Sequence, residues 1–329
     1  VYAGITPVSV GGDSIAGTII AESLAPVFAA PGQDYLATGQ LGGFYRSNGN
    51  AWGANVAATF ASDNFNVTYT GSTAQADNYK AGGNFKTTTA TGNVGQNLPL
   101  NEVGSSAYES RNQMLSFALK GGNHLVEAKL GFQDIPQQLY PNQRMDMLDN
   151  EQQRFNLNYV GQFAWGKLDA RIYHETVDHF MDFGPDKRFW YGPGQPPAGS
   201  GGDAAANGLP CSPISGTRMV NGMMVGCAAG MPMYTASKNT GGTVAADVNL
   251  SEKDLLRIGG LYQHYTLDDW WPPSGAGMWP GTFDNINDGE RNRFALFGEW
   301  ESRLNAQWKT LLGARYENVQ MNTGDVRGY

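Results

Sequence analysis

Arg154-Phe155-Asn156-Leu157-Asn158-Tyr159-Val160-Gly161-Gln162-Phe163-Ala164-Trp165 divides its side chains by parity. The odd positions Phe155, Leu157, Tyr159, Gly161, Phe163 and Trp165 are apolar or aromatic, and the even positions are largely polar. Period-two alternation puts the two sets on opposite faces of a β-strand. The division recurs at Phe294, Leu296, Gly298 and Trp300 against Arg293, Ala295, Phe297, Glu299 and Glu301. It recurs again at Trp308, Thr310, Leu312, Ala314 and Tyr316 against Lys309, Arg315 and Glu317. An all-β, antiparallel sheet with one apolar and one polar face follows.

Working outward, the connections decide what kind of sheet this is. Ser62-Asp63-Asn64, Gly121-Gly122-Asn123, Trp165-Gly166-Lys167, Ser251-Glu252-Lys253 and Asn305-Ala306 read as tight turns. Between them lie long connections near residues 76–106, 137–150, 182–232 and 268–290. A soluble sandwich would bury the apolar face as core, and alternation by itself allows that. Short turns on one side and long loops on the other instead match an outer-membrane barrel. Trp165 and Trp308 stand beside short turns, where an interfacial girdle belongs. The spacing predicts eleven strands of roughly ten residues. No apolar run approaches the roughly 20 residues of a membrane-spanning helix, but spanning strands alternate and give no such run. The net charge of −8 excludes nucleic acid as a partner.

Val8 to Ile20 is a Gly-punctuated strand and turn, with Gly11, Gly12, Asp13 and Gly17, followed by a second β-branched strand. It lacks the Lys of a phosphate loop. Lying just ahead of the barrel strands, it resembles the end of the plug domain of TonB-dependent outer-membrane receptors. The resemblance implies that residues 1–34 are the C-terminal part of a plug and 35–329 the first half of a 22-stranded transmembrane barrel. The expected location is the outer membrane of a Gram-negative bacterium. The implied partners are outer-membrane lipid, a small metal or metal-chelate ligand, and the TonB complex, reached through an N-terminal segment outside this chain. The chain starts at Val1 without an initiator Met and stops at Tyr329; it reads as an internal piece of a longer protein.

Enzyme signatures are lacking. His124, His174, His179 and His264 have no nucleophile elbow, HExxH or zinc-type Cys spacing beside them, and no catalytic residue or cofactor is expected. His174 and His264 fall on apolar faces as girdle or packing residues. Asp284 to Glu290 departs from a calcium loop at Ile286 and reads as a structural turn. Cys211 and Cys227 share the 182–232 loop; an exposed extracellular loop in an oxidising compartment suits a disulfide staple, and metal or redox chemistry is the other reading. Trp270, Trp271 and Trp279 belong to a Trp- and Pro-rich loop that either stacks on a flat ligand or packs on itself. Gly199 to Asn207 reads as linker.

The methionines are distributed unevenly. Met145, Met147, Met181, Met219, Met223, Met224, Met231, Met233, Met278 and Met321 fall in what read as long loops on one side, and Met114 alone inside a strand. Such a cluster is an apolar mouth or a set of soft metal ligands. His179-Phe180-Met181 puts an imidazole and a thioether on one face, and Met145-Asp146-Met147 and Met231-Pro232-Met233 repeat the i, i+2 spacing. Thioethers with an imidazole suit Cu(I) better than Fe(III). The His-x-Met pair also resembles the barrel contribution to the metal site of TonB-dependent copper receptors, whose plug ligands lie in a stretch absent here.

The function expected is TonB-dependent import of a scarce metal or metal complex, with copper as the favoured transported solute and an iron–siderophore chelate as the alternative. From a different class, a passive porin would conduct ions constitutively, and a ligand-displaying barrel would not transport.

Overall fold

The computed structural model describes residues 2–4, 6–11, 17–20, 23–87, 89, 91, 96–143, 145–187, 190–191, 217–220, 223–228, 232–272 and 282–326. Two short strands open the chain, β1 (Tyr2–Ala3) and β2 (Gly17–Thr18). Seven long ones follow: β3 (Leu36–Arg46), β4 (Ala51–Ala61), β5 (Phe65–Ala76), β6 (Tyr108–Gly121), β7 (His124–Gln138), β8 (Asp146–Phe163) and β9 (Gly166–Asp182). Three short strands, β10 (Trp190–Tyr191), β11 (Thr217–Val220) and β12 (Met223–Ala228), pair with one another in a separate sheet. The last four are β13 (Met233–Asn249), β14 (Asp254–Trp271), β15 (Phe283–Arg303) and β16 (Lys309–Asn322).

The eleven long strands form one antiparallel sheet in the order β16-β15-β14-β13-β9-β8-β7-β6-β5-β4-β3, the strand count expected from the sequence. Each pairs with its neighbour in sequence, except that β9 and β13 meet across the excursion carrying β10 to β12. Tight turns close one end of the sheet. At Gly122 the turn needs a positive φ of 56°, which glycine adopts without a Cβ penalty.

Among the described residues nothing covers the apolar face. Leu296, Tyr262 and Ile172 are 50%, 53% and 54% exposed. Among the described residues the buried hydrophobic side chains are Ala29, Ala51, Ala61, Ala118, Ala295, Leu139 and Met147. A soluble sandwich of this size would bury its large aliphatic residues, so the sandwich reading fails, and a bare apolar face suits lipid. Phe163 stacks on Trp165 at 5.0 Å beside a short turn. From there the face stays apolar up to Tyr262, Phe294 and Tyr316. Two rows farther out it turns polar at Lys238, Thr266 and Glu290, which are register partners. Between them His174 Nδ1 lies 2.7 Å from Thr240 Oγ1, and His264 Nδ1 2.8 Å from Asn292 Oδ1. Both histidines therefore pack at the rim of the apolar band, as their parity predicts.

The opposite face is charged and paired. Arg257 bridges Glu299 at 3.0 Å and Glu301 at 2.9 Å, and Lys309 meets Glu301 at 2.9 Å. The N-terminal segment lies on this face. Ser9 Oγ donates to Glu299 Oε1 (2.9 Å), Arg315 Nη1 donates to Val8 O (3.4 Å), and Asn66 Nδ2 donates to Val27 O (2.6 Å). Within about twenty residues the segment thus crosses from β15 and β16 to β5. A cleft of ≈ 550 Å³ remains where Ile20 and Ser23 face Arg154, Arg171, Lys129 and Asp169.

Several sequence expectations change. The strands reach 17 to 21 residues in β9, β13 and β15, where roughly 9–11 cross a bilayer. Antiparallel pairing continues past the apolar band because it satisfies the backbone there as well as loops would. Met147, Met181, Met219, Met223, Met224, Met233 and Met321 consequently lie in strands, and Met114 is not alone in one. Asp284 to Glu290 belongs to β15 and is no turn. The connection expected over 268–290 shrinks to 272–282. Among the described residues of the N-terminal glycine run, Gly17–Thr18 forms a two-residue strand paired with Tyr2–Ala3; Ile19 and Ile20 add no strand. Gly12, Asp13 and the tract Gly199 to Asn207 lie outside the described residues.

Candidate metal centre

β8, β9, β13 and β14 stand side by side, and their outer ends project past the apolar band. Register aligns two consecutive rows on the polar face. The lower row runs Asn150, His179, Thr235, Asp269 across the four strands. The upper row runs Met147, Met181, Met233, with Trp271 following on β14. Residues directly opposite on neighbouring strands share a face, with Cβ atoms about 4.5–5.5 Å apart. Three thioethers and one imidazole are thereby brought together from three strands.

A bulge between Met147 and Asp149 makes the upper row possible. Asp149 opposes Phe180, and Met147 opposes Met181, so Leu148 is the extra residue. By parity Met147 belongs with Phe155 on the apolar face; the bulge turns it to the polar one, where it is buried.

His179 is half-buried. Its Nδ1 lies 3.1 Å from Asn150 Oδ1, an acceptor, so Nδ1 carries the proton and Nε2 keeps its lone pair for a ligand. Burial holds the imidazole below its ordinary pKa of 6.5, opposed by the charges of Asp269 and Asp149. It is therefore neutral, the form that binds metal.

Beside the methionine row the connections are tied down by a buried polar network. Asp146, 0% exposed, accepts from Tyr140 N (2.7 Å) and Ser105 Oγ (2.9 Å), and meets Lys187 Nζ at 3.2 Å. Lys187 also donates to the carbonyls of Tyr140 and Gln143. Asp186 accepts from Ser105 N (2.8 Å) and Asn78 Nδ2 (2.7 Å). Three loops, those after β5, β7 and β9, are thus held to the residue that precedes Met147.

Of the remaining predicted residues, Met145 sits half-buried two residues before Met147. Trp271 lies in β14 beside the methionine row. Trp270 is also in β14, and it faces away from that row. Its ring stacks on Tyr234 at 5.4 Å, and Tyr234 packs on Phe180 at 4.5 Å. That aromatic row sits on the side of the sheet opposite the methionine row, and Trp270 packs there on its neighbours. Met231, Trp279 and Cys211 lie outside the described residues; Cys227 lies in β12, and the disulfide reading is left where the sequence put it. Of the plug glycines, Gly11 and Gly17 are described.

A separate acidic group, Asp134, Asp149 and Glu151, has oxygens within 4.8 Å of one another on the apolar side above the band. Arg111 pairs with Asp134 at 2.8 Å. Its hard oxygen donors differ from the thioether row in place and in chemistry.

The sequence profile described as "TonB dependent receptor-like, beta-barrel" matches residues 121–329, more than half of the chain. The chain belongs to the TonB-dependent receptor family. TonB-dependent receptors are outer-membrane proteins of Gram-negative bacteria, and the bare apolar face is the lipid-facing wall. The copper transporter OprC aligns with a TM-score of 0.67 at 18% identity, over 98% of this chain and 42% of that one. The apo FrpB iron transporter of Neisseria meningitidis (F5-1 variant) aligns at 0.60 and 14% identity, over 98% of this chain and 47% of that one. Its F3-3 variant aligns at 0.52 and 14%, over 97% and 48%. At these identities the likeness shows the fold. The chain spans less than half the length of these solved structures. No curated protein matches it.

Sequence reasoning found His179, Met181, Met147 and Met233. It missed Asn150, Thr235 and Asp146, and it took Asp269 for the start of a loop. Counting register back from the hairpin at Ser251-Glu252-Lys253 would have placed Thr235 opposite Asp269. The β8 bulge leaves no comparable signal.

Proposed function

We infer that the intact receptor imports copper, taken up as Cu(I), across the outer membrane with energy supplied through TonB. The observation that carries this reading is the alignment of Met147, Met181 and Met233 above His179, a donor set of thioethers and one neutral imidazole. Soft donors favour Cu(I), whereas Fe(III) prefers several oxygens. The likeness to a copper transporter agrees with this, and the likeness to an iron transporter at a similar level leaves the choice to the site chemistry. The N-terminal segment, read as the end of a plug, lies across the lumen face and leaves a polar cleft lined by Arg154 and Arg171. Captured metal would pass from the two rows toward that cleft when the plug rearranges.

The test is Cu(I) binding by the intact receptor before and after His179→Ala combined with Met181→Ala. Affinity is expected to fall by at least about 100-fold, since each lost second-shell partner alone typically costs 10- to 100-fold. Unchanged stoichiometry and affinity would remove copper and leave the transporter reading intact, with an iron chelate as the alternative solute.

A further inference from the structure

Asp269 is 8% exposed, and its Oδ2 accepts from Thr235 Oγ1 at 2.9 Å. Its Oδ1 is buried with no hydrogen-bond partner among the described residues. A buried carboxylate oxygen normally accepts one or two hydrogen bonds, and leaving it bare is costly. The carboxylate stands on the lower row, separated from His179 by Thr235 alone. Register puts it diagonally below Met233.

The thioethers above it carry no charge, and the imidazole offers none that would balance a cation. A monovalent cation placed there brings one positive charge into a half-buried site. Desolvating a lone cation costs several kcal/mol unless an opposite charge lies close. Lys238 and Glu290 face the other side of the sheet, and Glu175 lies two rows below.

We propose that Asp269 is a further binding residue of this site, supplying the negative charge that neutralises the bound monovalent cation. The inference rests on the copper reading above. The bare oxygen is the price of that arrangement in the metal-free protein. It also makes the site selective by charge: a neutral soft ligand gains nothing from Asp269, whereas Cu(I) or Ag(I) does.

The experiment uses the intact receptor and Ag(I), a soft monovalent probe without redox chemistry, with affinity measured by competition titration and metal-free stability by thermal melting. Asp269→Asn keeps shape and removes charge. It is expected to weaken Ag(I) binding about tenfold or more with stoichiometry unchanged, while the metal-free variant melts no lower than the parent. Asp269→Glu is expected to retain affinity to within about threefold. Thr235→Val, which removes the strap and keeps the charge, is expected to do the same.

Ag(I) affinity of Asp269→Asn within about threefold of the parent overturns the proposal. So does an equal loss in Thr235→Val accompanied by lower melting of metal-free Asp269→Asn, because that pattern belongs to a structural strap. If His179→Ala with Met181→Ala also leaves Ag(I) binding unchanged, the copper reading fails and the Asp269 role falls with it. If that pair abolishes binding and Asp269→Asn does not weaken it, only the Asp269 role fails.

Discussion

Asp146→Ala strips the buried network beside the methionine row of its one central acceptor. The carboxylate is 0% exposed and satisfies Tyr140 N, Ser105 Oγ and Lys187 Nζ at 2.7, 2.9 and 3.2 Å. Removing one partner of a buried ion pair costs about 3–5 kcal/mol, because the other charge stays behind. Lys187 keeps its bonds to the Tyr140 and Gln143 carbonyls, which argues for the lower end. The loss of the Tyr140 amide's acceptor falls within that cost. A local cost near 3 kcal/mol corresponds to roughly a 150-fold rise in the open population of these loops. The assay is amide hydrogen exchange on the intact receptor in detergent. Ser105 N, bonded to Asp186, and Leu139 N, bonded to Ala107 O at 3.0 Å, report on two of the loops. Their exchange is expected to quicken about 100-fold, while amides in the middle of β13 and β14 stay as they were. Exchange at both sites within about threefold of the parent would show that the network does not hold the loops together.

Four further expectations follow from other parts of the molecule. Burial depresses His179 from 6.5, so the imidazole stays neutral to more acid pH than a free one, and Ag(I) occupancy is expected to persist below pH 6.5. The same depression means that His179 contributes stability above pH 6.5 that is lost as pH falls toward its folded value; His179→Gln is expected to flatten that decline in a melting series. Reconstituted in a planar bilayer, the intact receptor is expected to be closed to ions because the N-terminal segment occupies the lumen face, and a large steady conductance would favour a porin. β3 and β16 each have one unpaired edge, and every unsatisfied backbone group in hydrocarbon costs several kcal/mol; the 329 residues expressed alone are expected not to give a heat-resistant monomer on gels.

What the sequence shows is set by periodicity, and what it hides is set by breaks in it. Strand number, turn positions and the faces of Phe155, Leu296 and Tyr316 follow from strict alternation closed by tight turns. His179 and Met181 were legible as a pair because two residues along a strand always share a face. Met147 was legible as a candidate but not in its direction, since one extra residue at Leu148 reverses parity for everything beyond it. Strand lengths were underestimated because apolar–polar alternation was followed only across the apolar band, and pairing does not stop where lipid does. Asp269 was hidden for that reason: a residue taken for a loop has no register. Of the two readings given for the Trp-Pro run, packing is what Trp270 shows, since the run begins inside a strand and its ring stacks on Tyr234. The Asp146 network could not be seen at all, since it joins residues 78, 105, 140, 146, 186 and 187 through loops whose paths no local pattern fixes.

The overshoot of the strands beyond the apolar band has a kinetic consequence. Met147, Met181, Met233 and His179 stand on a hydrogen-bonded ladder continuous with the wall, so their spacing is set before any ion arrives. On the copper reading, the ladder itself would not need to rearrange to take up an ion, so the rate of loading would be governed by encounter at the mouth and by exchange of the ion from whatever carried it there. Binding should accordingly show little change in heat capacity, since almost no new apolar surface is covered when the ion seats.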